Sequence, residues 1–315
     1  MHDLAPRGAS SPGPGPNPDH EPGLDALLAH PGLPAALRHI LDGFLRLQDG
    51  WLINKLNADE GRHFFTIFAL ALHAEHLLDP RRPGLTLTRL KQICLPIGLM
   101  SHGRAETNLG LLRRSNLVLP APPGNDRRQR RLEPAEALVT QVRTRVGFHL
   151  EALAMLGRGE GLRARLDSDP GFFWRLSLLR ARAIIEEPSM VLRFPPLAAV
   201  ADMEGGYVVL CALLHALPWS DRKPEPGVVA LPYAGHAARF GLSRTQMRRV
   251  VLRLAEHGLV RPAAPGGQAI EVLPPAIETM AGLAATRLLR FDRLGRAALA
   301  PLIPAPLVVP EAAGG

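Results

Sequence analysis

A mainly α-helical protein with small β hairpins, built from one unit used twice, is what the sequence predicts, on three observations. Aromatic residues make up only 5% of the 315 residues, while leucine, alanine and arginine are abundant; such a composition suits helices and not a β sandwich or barrel. The stretch Ser243 to Val260, SRTQMRRVVLRLAEHGLV, has the start, buried face, exposed face and stop of one amphipathic helix. Short strings also recur at one fixed offset, the step from Leu72 to Leu214.

Ser243 can accept a hydrogen bond from the free N–H groups of a first helical turn, and Gly258 can turn left-handed at the finish. Met247, Val250, Val251 and Leu254 follow at helical spacing and would pack inward, with Leu259 closing the end. The opposite side carries Arg244, Thr245, Gln246, Arg248, Arg249 and Arg253. Guanidinium groups pair with phosphate and with guanine, and glutamine pairs with adenine, so this face suits duplex DNA better than solvent alone. Before it, Pro232 to Arg239 can form a short helix and Phe240-Gly241-Leu242 a tight turn, which puts the arginine-rich helix second in a helix-turn-helix. After it, Arg261 to Val272 has a turn at Gly266-Gly267 between extended pieces, as a two-stranded wing requires.

With these pieces in order, the segment resembles a winged helix-turn-helix of the MarR type. Ser243, Arg244, Thr245, Arg249, Arg253, Leu254, Gly258, Leu259 and Val260 fall on that family's recognition-helix pattern without a gap. Leu252 departs from it, standing on the outer face where the family has a polar residue. The resemblance implies a DNA-binding regulator whose long terminal helices form a dimer core.

The repeat extends the reading to the first half. Leu72-His73-Ala74 returns as Leu214-His215-Ala216, and Leu117-Val118 with Pro120-Ala121 returns as Leu259-Val260 with Pro262-Ala263, all at the same offset. A duplicated domain is expected and not a solenoid, whose period is far shorter. In this first copy Leu87 to Cys94 is the leading helix, Leu95 to Met100 the turn and Ser101 to Ser115 the second helix. Its candidate contacts are Ser101, His102, Arg104, Thr107, Arg113 and Arg114, while Gly103 and Gly110 weaken the helix by about 1 kcal/mol each. Its hairpin is far more basic: Asn125 to Pro134, NDRRQRRLEP, resembles the family's wing tip and offers Arg127, Arg128, Arg130 and Arg131. The second wing, Pro262 to Gln268, has no basic residue.

Charge is concentrated in the same places. Residues 101 to 131 hold seven arginines against one glutamate and one aspartate, and residues 239 to 261 hold six against one glutamate. These windows together exceed the whole chain's net charge of +8, so the remainder is slightly acidic and the positive field is focused.

The expected class is therefore mainly α with small β wings, two winged helix-turn-helix domains joined by long helices. The domains expected are 35–160 and 168–300, with a disordered Pro/Gly-rich tail at 1–34 and a Pro-rich tail at 301–315. Long helices are expected over Leu37 to Leu56, Phe64 to Leu78 (apolar nearly all round, hence buried), Val142 to Leu156, Phe172 to Glu187, Leu197 to Leu217 (interrupted near Gly205-Gly206) and Ala276 to Leu299. Gly157 to Gly161 breaks the chain between copies, and Asp169-Pro170 starts the next helix. No basic patch precedes an apolar run at the N-terminus and no stretch approaches membrane-spanning length, so a cytoplasmic protein with no membrane partner is expected.

Enzyme chemistry finds no support in the sequence. No phosphate loop, metal-ligand pair or nucleophile elbow is present. Asp59-Glu60 and Glu186-Glu187 read as helix ends, His73 and His215 as equivalent core or interface histidines, and Cys94 and Cys211 as buried, inert thiols. No cofactor is expected. The partner expected is double-stranded DNA, with Thr245, Gln246 and Arg249 the base readers; a protein-interaction scaffold is the alternative, suited by Leu252 and the apolar second wing. A small-molecule effector near Trp51 and Trp174 is a weaker expectation. The chain would act as a monomer with internal pseudo-symmetry or as a homodimer.

Overall fold

A computed structural model describes residues 23–48, 54, 59–122, 130–187, 190–201, 203–220, 223–264, 269–302 and 306–309. The chain is mainly helical with small antiparallel sheets. In the first half, α1 (Leu24–Leu28) and α2 (Leu33–Arg46) precede α3 (Glu60–Leu78), α4 (Leu87–Cys94) and α5 (His102–Arg114). Then come β1 (Val118–Pro120), β2 (Leu132–Pro134) and α6 (Glu136–Met155). A short α7 (Leu162–Ser168) leads to the second half: α8 (Pro170–Glu186), α9 (Pro195–Ala201), α10 (Gly206–Ala216), β3 (Trp219–Ser220), β4 (Lys223–Pro224) and β5 (Gly227–Ala230). It continues with α11 (Tyr233–Phe240), α12 (Arg244–Glu256), β6 (Val260–Pro262), β7 (Ala269–Val272) and α13 (Pro274–Ala297).

In the second half the sheet order is β5-β7-β6, all antiparallel. The first half has the same arrangement in reduced form: β1 pairs with β2, and a single bridge joins Leu85 to Leu132 where β5 would pair. Local chemistry explains the correspondence. Ser101 Oγ accepts from the Arg104 N–H and Ser243 Oγ from the Gln246 N–H, so each second helix starts on a serine cap. Each ends on a left-handed residue, Asn116 (φ 53°) and Gly258 (φ 68°), followed by a bond from Leu117 N–H to the Leu112 carbonyl or from Leu259 N–H to the Leu254 carbonyl. Helices α5 and α12, like β1 and β6, are related by the offset of the sequence repeat. From β2 and β7 onward the offset shrinks, because Val118 pairs with Pro134 but Val260 with Val272, which makes the second hairpin the shorter one.

The long helices do not stay within their own halves. The most extensive helix pair is α3 with α8, and α2 packs against α10 as well as against α6; α6 and α13 run side by side. A single apolar core results, continuous from Leu24 to Leu307. The expected units 35–160 and 168–300 are thus divisions of the chain and not of the packing. Both repeat histidines sit where the halves meet, His73 edge-on to Trp174 of α8 and His215 within 2.6 Å of Asp42 of α2. The turn before α10 is set by Gly205 (φ 82°) and Gly206: a Cβ on Gly206 would stand 2.0 Å from the Val200 carbonyl oxygen. That contact lets α9 fold back against the start of α10.

Two expectations need correction, and the C-terminal segment adds a contact. Order begins before residue 35: Leu24, Leu27 and Leu33 are buried and α1 packs on α13, their apolar spacing having been obscured by the surrounding glycine and proline. The helix expected over Leu37 to Leu56 runs from Leu33 to Arg46, and most of the remainder lies outside the described residues. In the Pro-rich C-terminal segment, Leu307 is buried, its N–H bonded to Glu75 Oε1 (2.8 Å) and its carbonyl to Arg89 (3.2 Å). No helix among the described residues is long and apolar enough to cross a membrane.

Candidate nucleic-acid interface

Helix α12 is built as its spacing requires. Met247, Val250, Val251 and Leu254 are buried, packed toward α11, α10 and β6. Arg244, Thr245, Arg248, Arg249, Leu252 and Arg253 are exposed, and Arg244, Arg248 and Arg249 make no hydrogen bond or ion pair among the described residues. Three unpaired guanidinium groups so close together leave donors open to an anionic partner. Leu252 lies beside them, 46% exposed.

One flank of the helix is already occupied. Gln246 Nε2 donates to the Glu204 carbonyl (2.9 Å), and Arg253 pairs with Glu256 (2.9 Å) while its Nε reaches the Ala199 carbonyl (3.5 Å). Both carbonyls belong to α9 or to the turn that follows it, which packs along this side of α12. Gln246 Nε2 therefore anchors the helix to the turn before α10, which engages the amide donor expected to read a base. Sequence reasoning missed this because α9 approaches α12 only through the Gly205-Gly206 turn, far upstream in the chain.

The first copy repeats the tether with different chemistry. Arg104, the counterpart of Gln246 in the repeat, donates to Asp59 Oδ1 (2.8 Å) at the cap of α3. Arg104 is thus a positioning residue as well. The outward positions of α5 are thinly furnished: Gly103, Thr107 and Gly110 stand where α12 has Thr245, Arg249 and Leu252, and Glu106, paired with Lys91, stands where α12 has Arg248. The Lys91 ammonium holds the Glu106 carboxyl below its ordinary range. Ser101 caps the helix, and His102, Arg113 and Arg114 are exposed.

In the first hairpin, Arg130 is exposed but Arg131 folds back to donate to His76 Nε2, whose Nδ1–H is committed to the Arg82 carbonyl (2.7 Å). One donor of Arg131, expected to contact phosphate, is therefore spent inside the fold. Arg127 and Arg128 lie outside the described residues.

No family model, curated protein or solved structure matches this chain.

The remaining candidates carry little chemistry. Cys94 and Cys211 are buried, and burial pushes both thiols up to about 12, so neither presents a thiolate. No cluster of three metal-ligating side chains occurs among the described residues. Asp59 is a helix cap and Glu60 opens the same helix, as read from the sequence. Trp174 packs on His73 and Phe173, and Trp51 lies outside the described residues.

Proposed function

We propose that the chain is a sequence-specific, double-stranded DNA-binding transcriptional regulator with two winged helix-turn-helix heads in one polypeptide. The observation that carries this reading is the exposed set Arg244, Arg248 and Arg249, unpaired among the described residues, on the second helix of a helix-strand-helix-helix-strand-strand unit with sheet order β5-β7-β6. A helix so placed can enter a major groove while the hairpin β6–β7 lies along the neighbouring backbone. The resemblance of its sequence to MarR-type recognition helices points the same way. Exchange of α2 and α8 between the halves supports a dimer-like core built within one chain, a monomer with internal pseudo-symmetry. Binding and not catalysis is the role this arrangement serves, in the cytoplasm where DNA is met.

Duplex binding that weakens with salt is the direct test. Replacing Arg127, Arg128 and Arg130 by Ala should weaken binding to all sequences alike and flatten the slope of log K against log salt by up to about 3 units. An unchanged slope would remove the first hairpin from the interface. Exposed Leu252 favours a second reading, a protein-docking head; Leu252→Glu would then abolish capture of a protein partner while leaving duplex affinity intact.

A further inference from the structure

The C-terminal segment is fastened to the first copy through one residue. Leu307 is 2% exposed, while Pro306 before it and Val308 after it face solvent, Val308 at 63%. Both main-chain groups of Leu307 are bound: its N–H donates to Glu75 Oε1 (2.8 Å) and its carbonyl accepts from Arg89 Nη2 (3.2 Å). The same Arg89 nitrogen donates to Glu75 Oε2 (3.0 Å), so carboxylate, guanidinium and residue 307 close one ring of hydrogen bonds. Glu75 is fully buried on α3 and Arg89 stands on α4. The charge of Glu75 also reaches Arg182 of α8, which places this clamp where the two halves meet.

The scaffold does not require the clamp. In the repeat, Leu72-His73-Ala74 is followed by Glu75 but Leu214-His215-Ala216 by Leu217, which is also buried. Arg89 is the third residue after the cap of α4, and the third after the cap of α11 is Gly235. A buried ion pair is on balance no more stabilising than apolar residues in its place. What this pair adds is a donor and an acceptor set for a backbone: main-chain hydrogen bonds hold an extended segment, and a side-chain pocket selects which one. The hold on the segment is slight. One buried side chain and two hydrogen bonds to charged groups stand against the ordering of residues 306–309, so the segment opens locally far more readily than the core unfolds. After opening, Glu75 and Arg89 still pair with each other, and the leucine pocket is vacated.

We propose that Glu75 and Arg89 form a peptide-docking site for an extended segment with a buried leucine, and that residues 306–309 of the same chain occupy it as an exchangeable strap. The strap follows α13, the last helix of the second half, and its anchor Arg89 lies on the leading helix of the first copy. Occupied, the site ties α4 to α3 and to the far end of the chain. Vacated, α4 keeps only its own packing, and the first copy gains a freedom that the second, with Leu217 in place of the glutamate, does not have.

Hydrogen exchange on the full chain tests both parts. In the wild type the Leu307 amide should exchange at least about a hundredfold faster than amides at the centre of α3, through local opening. Equal rates would make the segment part of the cooperative core and overturn the exchangeable strap. Leu307→Asp sets a second carboxylate beside Glu75 and should release residues 306–309, with the amides of α4 exchanging about tenfold faster and those of α12 unchanged. Should that variant fail to fold, Leu307→Ala, which empties the pocket without adding charge, serves the same comparison. Release of the segment with α4 unchanged overturns the restraint on the first copy. A synthetic peptide with the sequence of residues 301–315, added at about 1 mM to suit a weak contact, should then restore slow exchange in α4 of the variant. It should leave the wild type unchanged, because the tethered segment competes at high effective concentration. The same peptide with aspartate in place of the docked leucine should restore nothing. No restoration by the first peptide, or equal restoration by both, overturns the docking site.

Discussion

Helices α5 and α12 have the same length and serine cap, stop on a left-handed residue and are tethered from the same position, and they differ in what they show to the outside. Position by position, Gly103, Glu106, Thr107 and Gly110 face out from the first where Thr245, Arg248, Arg249 and Leu252 face out from the second. The buried faces agree because both must pack on the same hairpin and preceding helices; the exposed faces are free to diverge because nothing in the fold constrains them. One unit therefore carries exposed arginines on its second helix. The other holds its charge in a hairpin that, from β1 to β2, is longer than its counterpart. The pair teaches that a duplicated scaffold here supports divided work.

The largest expected effect separates how the heads are fastened. Glu75 is fully buried between Arg89 and the Leu307 N–H, whereas its counterpart in the repeat is the buried Leu217. Glu75→Leu leaves Arg89 and the Leu307 amide without their acceptor and should cost about 3–5 kcal/mol in urea unfolding. Adding Arg89→Leu should recover much of that loss, and hydrogen exchange should show residues 306–309 released in both variants. A neutral single substitution would mean the ionic staple does not distinguish the first head.

Next in size is the contrast in reading. Arg249→Ala should lose about 1–3 kcal/mol on the preferred duplex and relax preference at one base pair, while Thr107→Ala at the matching position should change affinity little. Equal losses from the two would erase the division of labour. Smaller again are the tethers: Gln246→Ala should lower stability by about 0.5–1.5 kcal/mol, with base preference retained. Arg104→Ala should do less, since its ion pair with Asp59 is partly open to solvent. Altered base preference in Gln246→Ala would return that residue to the interface.

Much of the architecture could be read from the chain because its signals are local. Ser101 and Ser243 as caps, Gly258 as the stop, Leu87 to Cys94 as a helix and Asp169-Pro170 as a start all follow from near neighbours in sequence. What escaped was long-range. Nothing beside Gln246 reveals that the distant Glu204 carbonyl holds it, and nothing near Arg131 points to His76. A cavity between the long helices was invisible for the same reason: Arg145, Arg180 and Arg287, which line it, lie on separate helices that meet only when α6, α8 and α13 come together. The end of the N-terminal segment was misjudged by composition, since a few buried leucines among glycine and proline suffice to dock it.

The unequal heads are tested most directly by selecting bound fragments from random duplex DNA and weighing the resulting complex. A single chain using both heads should enrich an asymmetric site. Strong base preference is expected in one half, and backbone or shape dependence in the other, about one helical turn away. Covalent linkage keeps the second head at high effective concentration, so the complex should contain one chain per site. A perfect palindrome bound by two chains would contradict this account, because identical half-sites require identical heads related by a two-fold axis.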